Sequence, residues 1–170
     1  MRWTAKNLEN YVFVLLVEVL DTETTRIVEV PPTFNLRKLH CVLQKIFAWG
    51  DNHMHEFRTG DGRRYVPWEE VDEVKGLCFT ADEASLVYDE SRKKLFACLT
   101  EVDEFLEYEY DFGDGHEHKI TLIDVAHREN VSYPRCTSAF GFRPFEDHNP
   151  RLYEPARTLE QITAELGRIR

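Results

Sequence analysis

The residues of this chain able to do chemistry fall into two short histidine pairs and the acids near them. His53-Met54-His55 and His116-Glu117-His118 each set imidazoles two residues apart. In a strand, where side chains alternate, such rings point to one side about two strand rises apart and can chelate one ion. If the two strands are neighbours, His53, His55, His116 and His118 line one pocket, with Glu146, Asp147 or His148 from a later loop as further ligands. Imidazole and carboxylate together suit a divalent transition metal such as zinc. The other reading makes each ring a core histidine, satisfied by a tyrosine hydroxyl or a backbone carbonyl.

The second pair belongs to the stretch with the sharpest geometry, Phe105 to Val125, where two alternating runs flank Gly113-Asp114-Gly115. This pattern predicts a β-hairpin with a three-residue loop and a left-handed glycine at Gly115. In that register Phe112 faces His116, Tyr110 faces His118, Tyr108 faces Ile120 and Leu106 faces Leu122. The tyrosines and histidines then share one side, and Glu107, Glu109 and Asp111 share the other with Lys119. A two-residue loop is rejected, because a slip of one residue moves every side chain to the wrong face.

The elements that must position these groups are legible from periodicity. Tyr11 to Leu20 reads as a central strand buried on both faces in its middle, and Arg26 to Val30 reads as its hairpin partner, stopped by Pro31-Pro32. Leu36, Leu39, Leu43, Ile46 and Phe47 form one stripe of a helix that packs on the sheet, ending near Trp49-Gly50-Asp51 with the glycine taking the left-handed position. The HMHEF segment that follows is extended. Between Arg63 and Thr80 the pattern is weak. Thr80 to Glu83 and Thr158 to Gln161 have capping-box spacing, predicting a short helix to about Tyr88 and an amphipathic helix over 158–168. Lys93 to Leu99 is another possible short helix. The expectation is one α+β domain spanning 1–170, core about 10–150, with a mixed or antiparallel sheet whose hairpins pack against helices.

Composition narrows the function classes. With 21 basic and 31 acidic side chains the net charge is -10, which repels nucleic acid and anionic lipid. The first residues show no signal-peptide pattern, and the apolar run from Tyr11 to Leu20 is about half a membrane span, so neither secretion nor insertion is expected. Four cysteines without a CxxC pair fit reduced thiols in the cytoplasm or the nucleus. No phosphate-cradling loop, dinucleotide fingerprint, nucleophile elbow or calcium loop occurs.

Several blocks together carry a resemblance: Arg26-Ile27 to Val30-Pro31, Leu36, Leu39-His40, Trp49, His53 to Phe57, Tyr108-Glu-Tyr-Asp-Phe-Gly-Asp114, His118, and Tyr133-Pro-Arg-Cys136. Over residues 10 to 150 the chain resembles the Ri-plasmid Orf-three-like domain family, also found beside insertion elements. The resemblance implies an α+β fold and a mobile-element accessory role, and no reaction. Two positions depart from the family pattern. His116 stands where tryptophan usually follows the DFGD turn, and a later cysteine block survives only as Cys136 and Pro144-Phe-Glu-Asp147, with Arg143 and His148 in place of thiols.

The leading expectation is a non-enzymatic module for a protein or small-molecule ligand. Its groove is bordered by Trp49, Tyr108, Tyr110, His116 and His118, with Asp111 and Asp114 at the hairpin end. The alternative is a metal-dependent hydrolase, in which the four histidines hold the ion and Asp114, Asp147 or Glu146 is the base; an ion lowers the pKa of its bound water to about 7.

Overall fold

The computed structural model describes residues 5–146 and 157–169. β1 (Tyr11–Val19) and β2 (Thr25–Val30) form the expected antiparallel hairpin, with Leu15 opposite Val28. Phe13, Leu15, Val17 and Val19 are buried, but Val14, Leu16 and Glu18 between them are only half-buried. The expectation of burial on both faces is thus corrected: the alternation is that of a strand with one covered face.

That cover is chiefly α1 (Leu36–Phe47). Asn35 caps its start by accepting the Lys38 N–H at 3.0 Å. Its buried stripe of Leu36, Leu39, Val42, Leu43, Ile46 and Phe47 joins the main core, each full side chain contributing about 1.5–3 kcal/mol by leaving water. The left-handed stop lies at Ala48 (φ 53°) rather than at Gly50, and a second positive φ follows at Asp51 (60°). Two such residues close together turn the chain back over the helix it has just left.

The remaining elements, in chain order, are β3 (His55–Thr59), β4 (Arg64–Val66), α2 (Val71–Leu77), α3 (Ala81–Ser85), β5 (Val87–Asp89), β6 (Phe105–Tyr110), β7 (His116–His127), β8 (Arg135–Phe140) and α4 (Leu159–Leu166). All the strands join one eight-stranded sheet in the order β5-β4-β3-β6-β7-β1-β2-β8. Only the β4–β5 pair is parallel, so the sheet is mixed and the fold α+β. α3 is shorter than predicted, because the chain is extended again from Val87 and pairs with β4. Thr80 caps it as expected, whereas the Glu83 carboxylate reaches back to the Phe79 N–H instead of that of Thr80. Lys93 to Leu99 holds no more than a 3-10 turn, Leu95–Ala97. At α4 the capping box of Thr158 and Gln161 is complete.

The β6–β7 hairpin corrects the predicted register by two residues. Tyr110 pairs with His116, Tyr108 with His118 and Leu106 with Ile120. The loop is residues 111–115, not three residues. Asp111 ends β6 early: its backbone is left-handed (φ 58°), its N–H donates to the Met54 carbonyl, and its carboxylate accepts the Gly113 and Asp114 N–H groups. Gly115 takes the expected positive φ, 66°. A shift of two preserves parity, so the tyrosines and histidines still share the core face.

Candidate functional site

On α1, Arg37, His40 and Gln44 follow one another at helical spacing and face the end of the sheet where β3 begins. The reversal after Ala48 brings Asp51 back over them. The Asp51 N–H donates to Gln44 Oε1 (3.0 Å), and its Oδ1 lies 2.7 Å from His40 Nε2. On the other edge of that ring, His40 Nδ1 meets the Tyr108 hydroxyl at 2.9 Å, which also receives Gln44 Nε2 at 3.3 Å. Burial is the first cause holding the His40 pKa below its ordinary value, against the opposing pull of Asp51. The ring is therefore neutral at physiological pH, and its partners define the tautomer. A carboxylate can only accept, so Nε2–H donates to Asp51 and Nδ1 accepts from Tyr108.

Beside this pair stands a second one. His55, the first residue of β3, stacks on His40 with ring centroids 3.6 Å apart and planes 11° apart. Its Nε2 lies 2.9 Å from Oε2 of Glu90, a carboxylate only 1% exposed in the turn after β5. Arg37 reaches toward both acids, 3.6 Å from Asp51 and 3.5 Å from Glu90. A cavity of about 360 Å³ opens over the assembly, lined in part by Asp51, Asn52, His53, His55, Glu69 and Glu70. Within it Glu70 Oε2 is buried with no hydrogen-bond partner among the described residues. Its carboxyl is raised above the ordinary range by burial first; His55 opposes this, and Glu73, Glu90 and Glu69 add to it.

The expected groove between tyrosines and histidines is closed. Tyr108, Tyr110, His118, His116 and Trp49 are between 0% and 9% exposed, packed beneath α1. Trp49 stacks on Tyr110 and His116 and meets His118 edge-on. The segment before residue 147 covers this edge: Trp49 Nε1 donates to the Pro144 carbonyl at 2.9 Å, and the Tyr110 hydroxyl donates to Glu146 at 2.5 Å. Burial works to raise the Glu146 carboxyl, but Tyr110, Gly50 and Asn52 together hold it below its usual range. Burial also depresses His118 to about 4, and its neutral ring donates from Nδ1 to the His116 carbonyl at 2.9 Å.

Nor do the four predicted histidines converge. His53 precedes β3 instead of lying in it, so the pair His53/His55 is not a strand pair. His55 and His116 share a row with Tyr110 between them, which sets them roughly 10 Å apart at normal strand spacing, more than twice the distance between two ligands of one ion. His53 instead lies 3.6 Å from Asp111, which groups with Asp114 and His116 at the hairpin tip. Asp147 and His148 lie outside the described residues.

The sequence model of the plasmid pRiA4b ORF-3-like proteins matches residues 10–159. This chain belongs to that family. The chain is also 33% identical over 122 residues to a Sinorhizobium fredii protein described as uncharacterized protein y4hQ. The match covers 72% of this chain and 57% of that protein, so the chain spans a little over half the length of this relative. A solved structure, the protein of unknown function MM3350 from Methanosarcina mazei Go1, superposes with a TM-score of 0.61 over 76% of this chain and 69% of its own, at 24% identity. At that identity the likeness is one of fold.

The residues that sequence reasoning passed over are His40, Asp51, Glu90, Arg37 and Glu70. His40 had a visible signal. It interrupts the apolar stripe of an amphipathic helix, where a buried imidazole needs two partners. Glu90 had none, because what brings it to His55 is the parallel pairing of β4 with β5.

Proposed function

We propose that this chain is a non-enzymatic binding module whose site is the acidic pocket beside His53 and His55, and that it takes a cationic ligand. The observation that carries the reading is the charge balance of the pocket. Asp51, Glu69 and Glu70 line it with Glu90 directly beneath, against the single guanidinium of Arg37. A buried carboxylate oxygen without a partner costs free energy that an incoming cation recovers. Three of the four thiols are made poor nucleophiles by their surroundings. Burial raises Cys41 and Cys136 and pushes Cys98 up to about 12. All four cysteines are free, as a cytoplasmic protein's would be, and the net charge of -10 disfavours a nucleic-acid partner.

The test is a titration with 1,4-diaminobutane and separately with Zn²⁺, followed by backbone amide shifts. Saturable shifts are expected at Asn52, His53, Glu69 and Glu70, and they weaken at least ~10-fold in Glu69→Gln/Glu70→Gln as two charges are lost. Absence of any shift there at about 10 mM of either cation, a concentration that detects even millimolar affinity, removes the reading.

A second reading, metal-dependent hydrolysis, is favoured by one observation. Glu70 offers a carboxyl of raised pKa in the same cavity, the property of a general base. Turnover of an activated ester or phosphate ester that disappears in Glu70→Gln supports it; no metal-stimulated turnover removes it.

A further inference from the structure

We propose that Asp111, Asp114 and His116, at the tip of the β6–β7 hairpin, bind one divalent transition-metal ion. The site is distinct from the acidic pocket and does not depend on the cationic-ligand reading. One donor atom from each of the three residues lies within 4.8 Å of the others. Ligands about 2.1 Å from a tetrahedral ion are roughly 3.4 Å apart, so modest side-chain rotation closes the three onto one ion. A single imidazole fixes one direction of approach, and each carboxylate offers two oxygens with about four lone-pair sites, so the donors converge without any two rings having to share the ion.

The hairpin loop places these donors before any ion arrives. Asp111 has left-handed backbone, and its N–H is held by the Met54 carbonyl at 2.9 Å. Its Oδ1 accepts the Gly113 and Asp114 N–H groups at 3.1 and 3.3 Å, which ties down the turn and leaves Oδ2 to coordinate. Gly115, also at positive φ, reverses the chain so that His116 starts β7 opposite Tyr110, with a ring nitrogen beside both carboxylates. Trp49 stacks on that ring and fixes its plane. The independent sign lies in His116 itself. It is 9% exposed, and its Nε2 is buried with no hydrogen-bond partner among the described residues. A buried imidazole nitrogen left unmatched costs free energy, which coordination beside two carboxylates recovers.

Two carboxylates with an imidazole suit manganese(II), cobalt(II) and zinc, whereas magnesium and calcium take oxygen ligands. The fourth position falls to His53, whose side chain is 29% exposed on the segment before β3. Its Nδ1 stands 3.6 Å from Asp111 Oδ2, too long for a hydrogen bond and close to the spacing of two ligands on one ion. His53 does not stack on His116: Trp49 lies along both His116 and Tyr110, whereas His53 meets Tyr110 edge-on at 83°. The two imidazole planes are therefore inclined, and in-plane lone pairs of inclined rings are free to meet at one point. An ion held in this way ties the hairpin tip to the segment that leads into β3.

The experiment is a Co²⁺ titration of the full chain, read by visible absorption for stoichiometry and by paramagnetic broadening of backbone amides for location. One equivalent is expected, with broadening centred on Gly113 to Glu117 and not on Glu69 and Glu70. Asp114→Asn, at a half-buried loop position, and His116→Phe, which keeps an aromatic ring against Trp49, each weaken binding at least ~100-fold, beyond the effect of losing an outer partner. Glu69→Gln/Glu70→Gln leaves it unchanged. Less than about a tenth of an equivalent at saturating Co²⁺ overturns the inference. So does full affinity in Asp114→Asn, or loss in Glu69→Gln/Glu70→Gln, which would put the ion in the acidic pocket. If 1,4-diaminobutane shifts Glu69 and Glu70 and Co²⁺ does not bind, the hairpin site falls and the binding module stands; if Co²⁺ binds the tip and neither cation shifts Glu69 and Glu70, the module falls and the hairpin site stands.

Discussion

His55 and Glu56 are consecutive residues of β3 that point to opposite faces of the sheet, and their surroundings treat charge in opposite ways. Glu56, wholly buried, is matched by two arginines: Arg64 donates to it from Nε and Nη2 at 2.9 and 2.5 Å, and Arg58 donates to it from Nε. Arg58 also reaches Glu109 on β6 at 2.8 Å. On the other face, Glu90 and Asp51 share one distant arginine, and Glu70 leaves an oxygen unmatched. A network that neutralises its own charge has the form of a structural clamp across β3, β4 and β6. One that keeps an excess of carboxylate around two stacked imidazoles has the form of a site waiting for a cation.

The largest effect should come from breaking the clamp. Glu56→Gln removes the buried charge that both arginines need and is expected to cost about 3 kcal/mol, at the lower end for broken buried pairs because Arg58 and Arg64 can swing into water. Urea denaturation at neutral pH measures it. A cost no larger than that of an exposed pair would mean that the two faces do not differ as described.

A comparable effect comes from acid. His118 titrates from 6.5 in the unfolded chain to about 4 in the folded one. Above 6.5 both states are neutral and the residue contributes nothing to the pH dependence. As pH falls through this window the unfolded chain takes up a proton that the buried ring refuses, so stability is lost, by about 3 kcal/mol at pH 4. His118→Phe should flatten that limb of the stability profile, and an unchanged limb in the variant would show that the ring is not held neutral by the core.

Asp51→Asn makes the contrast with Glu56 direct. Its carboxylate is half-exposed, so its loss is expected to cost no more than about 1 kcal/mol in the same denaturation experiment, although it removes one of the carboxylates lining the proposed cation-binding pocket. Stability and binding should thus separate at Asp51, while Glu56→Gln should lower stability and leave binding alone.

How much of this was legible without coordinates follows from the range of each interaction. α1, the β1–β2 hairpin and the facing of Tyr108, Tyr110, His116 and His118 were readable because periods of 3.6 and 2 report burial locally. The loop of the β6–β7 hairpin was not, since loops of three and five residues give the same parity; the arbiter is the Asp111 N–H donating to the carbonyl of Met54, just before the neighbouring strand β3. His55 was singled out for its spacing from His53, yet its partners are His40, fifteen residues earlier on α1, and Glu90, beyond β5. Glu70 lies in the stretch where the pattern was weakest. Carboxylates on short turns leave no periodic trace, and three of the site's acids, Asp51, Glu70 and Glu90, are of that kind.

The smallest effect has the opposite sign. Glu70→Gln keeps the shape of the side chain and removes a charge that burial disfavours, so it should stabilise the empty protein by up to about 1 kcal/mol. The pH dependence fixes the cause. A carboxyl whose folded pKa is raised above its ordinary 4.5 binds its proton more tightly in the folded state, so its penalty is absent in acid, develops as pH climbs past 4.5, and is complete above the folded pKa. The gain of the variant should therefore vanish in acid and grow as pH rises past 4.5, as measured by paired denaturation curves. A saturating cation should reverse the order, because only the wild-type carboxylate rewards it. If Glu70→Gln is instead destabilising at neutral pH, the carboxylate is already compensated within the fold, and the pocket is a second clamp like the one at Glu56.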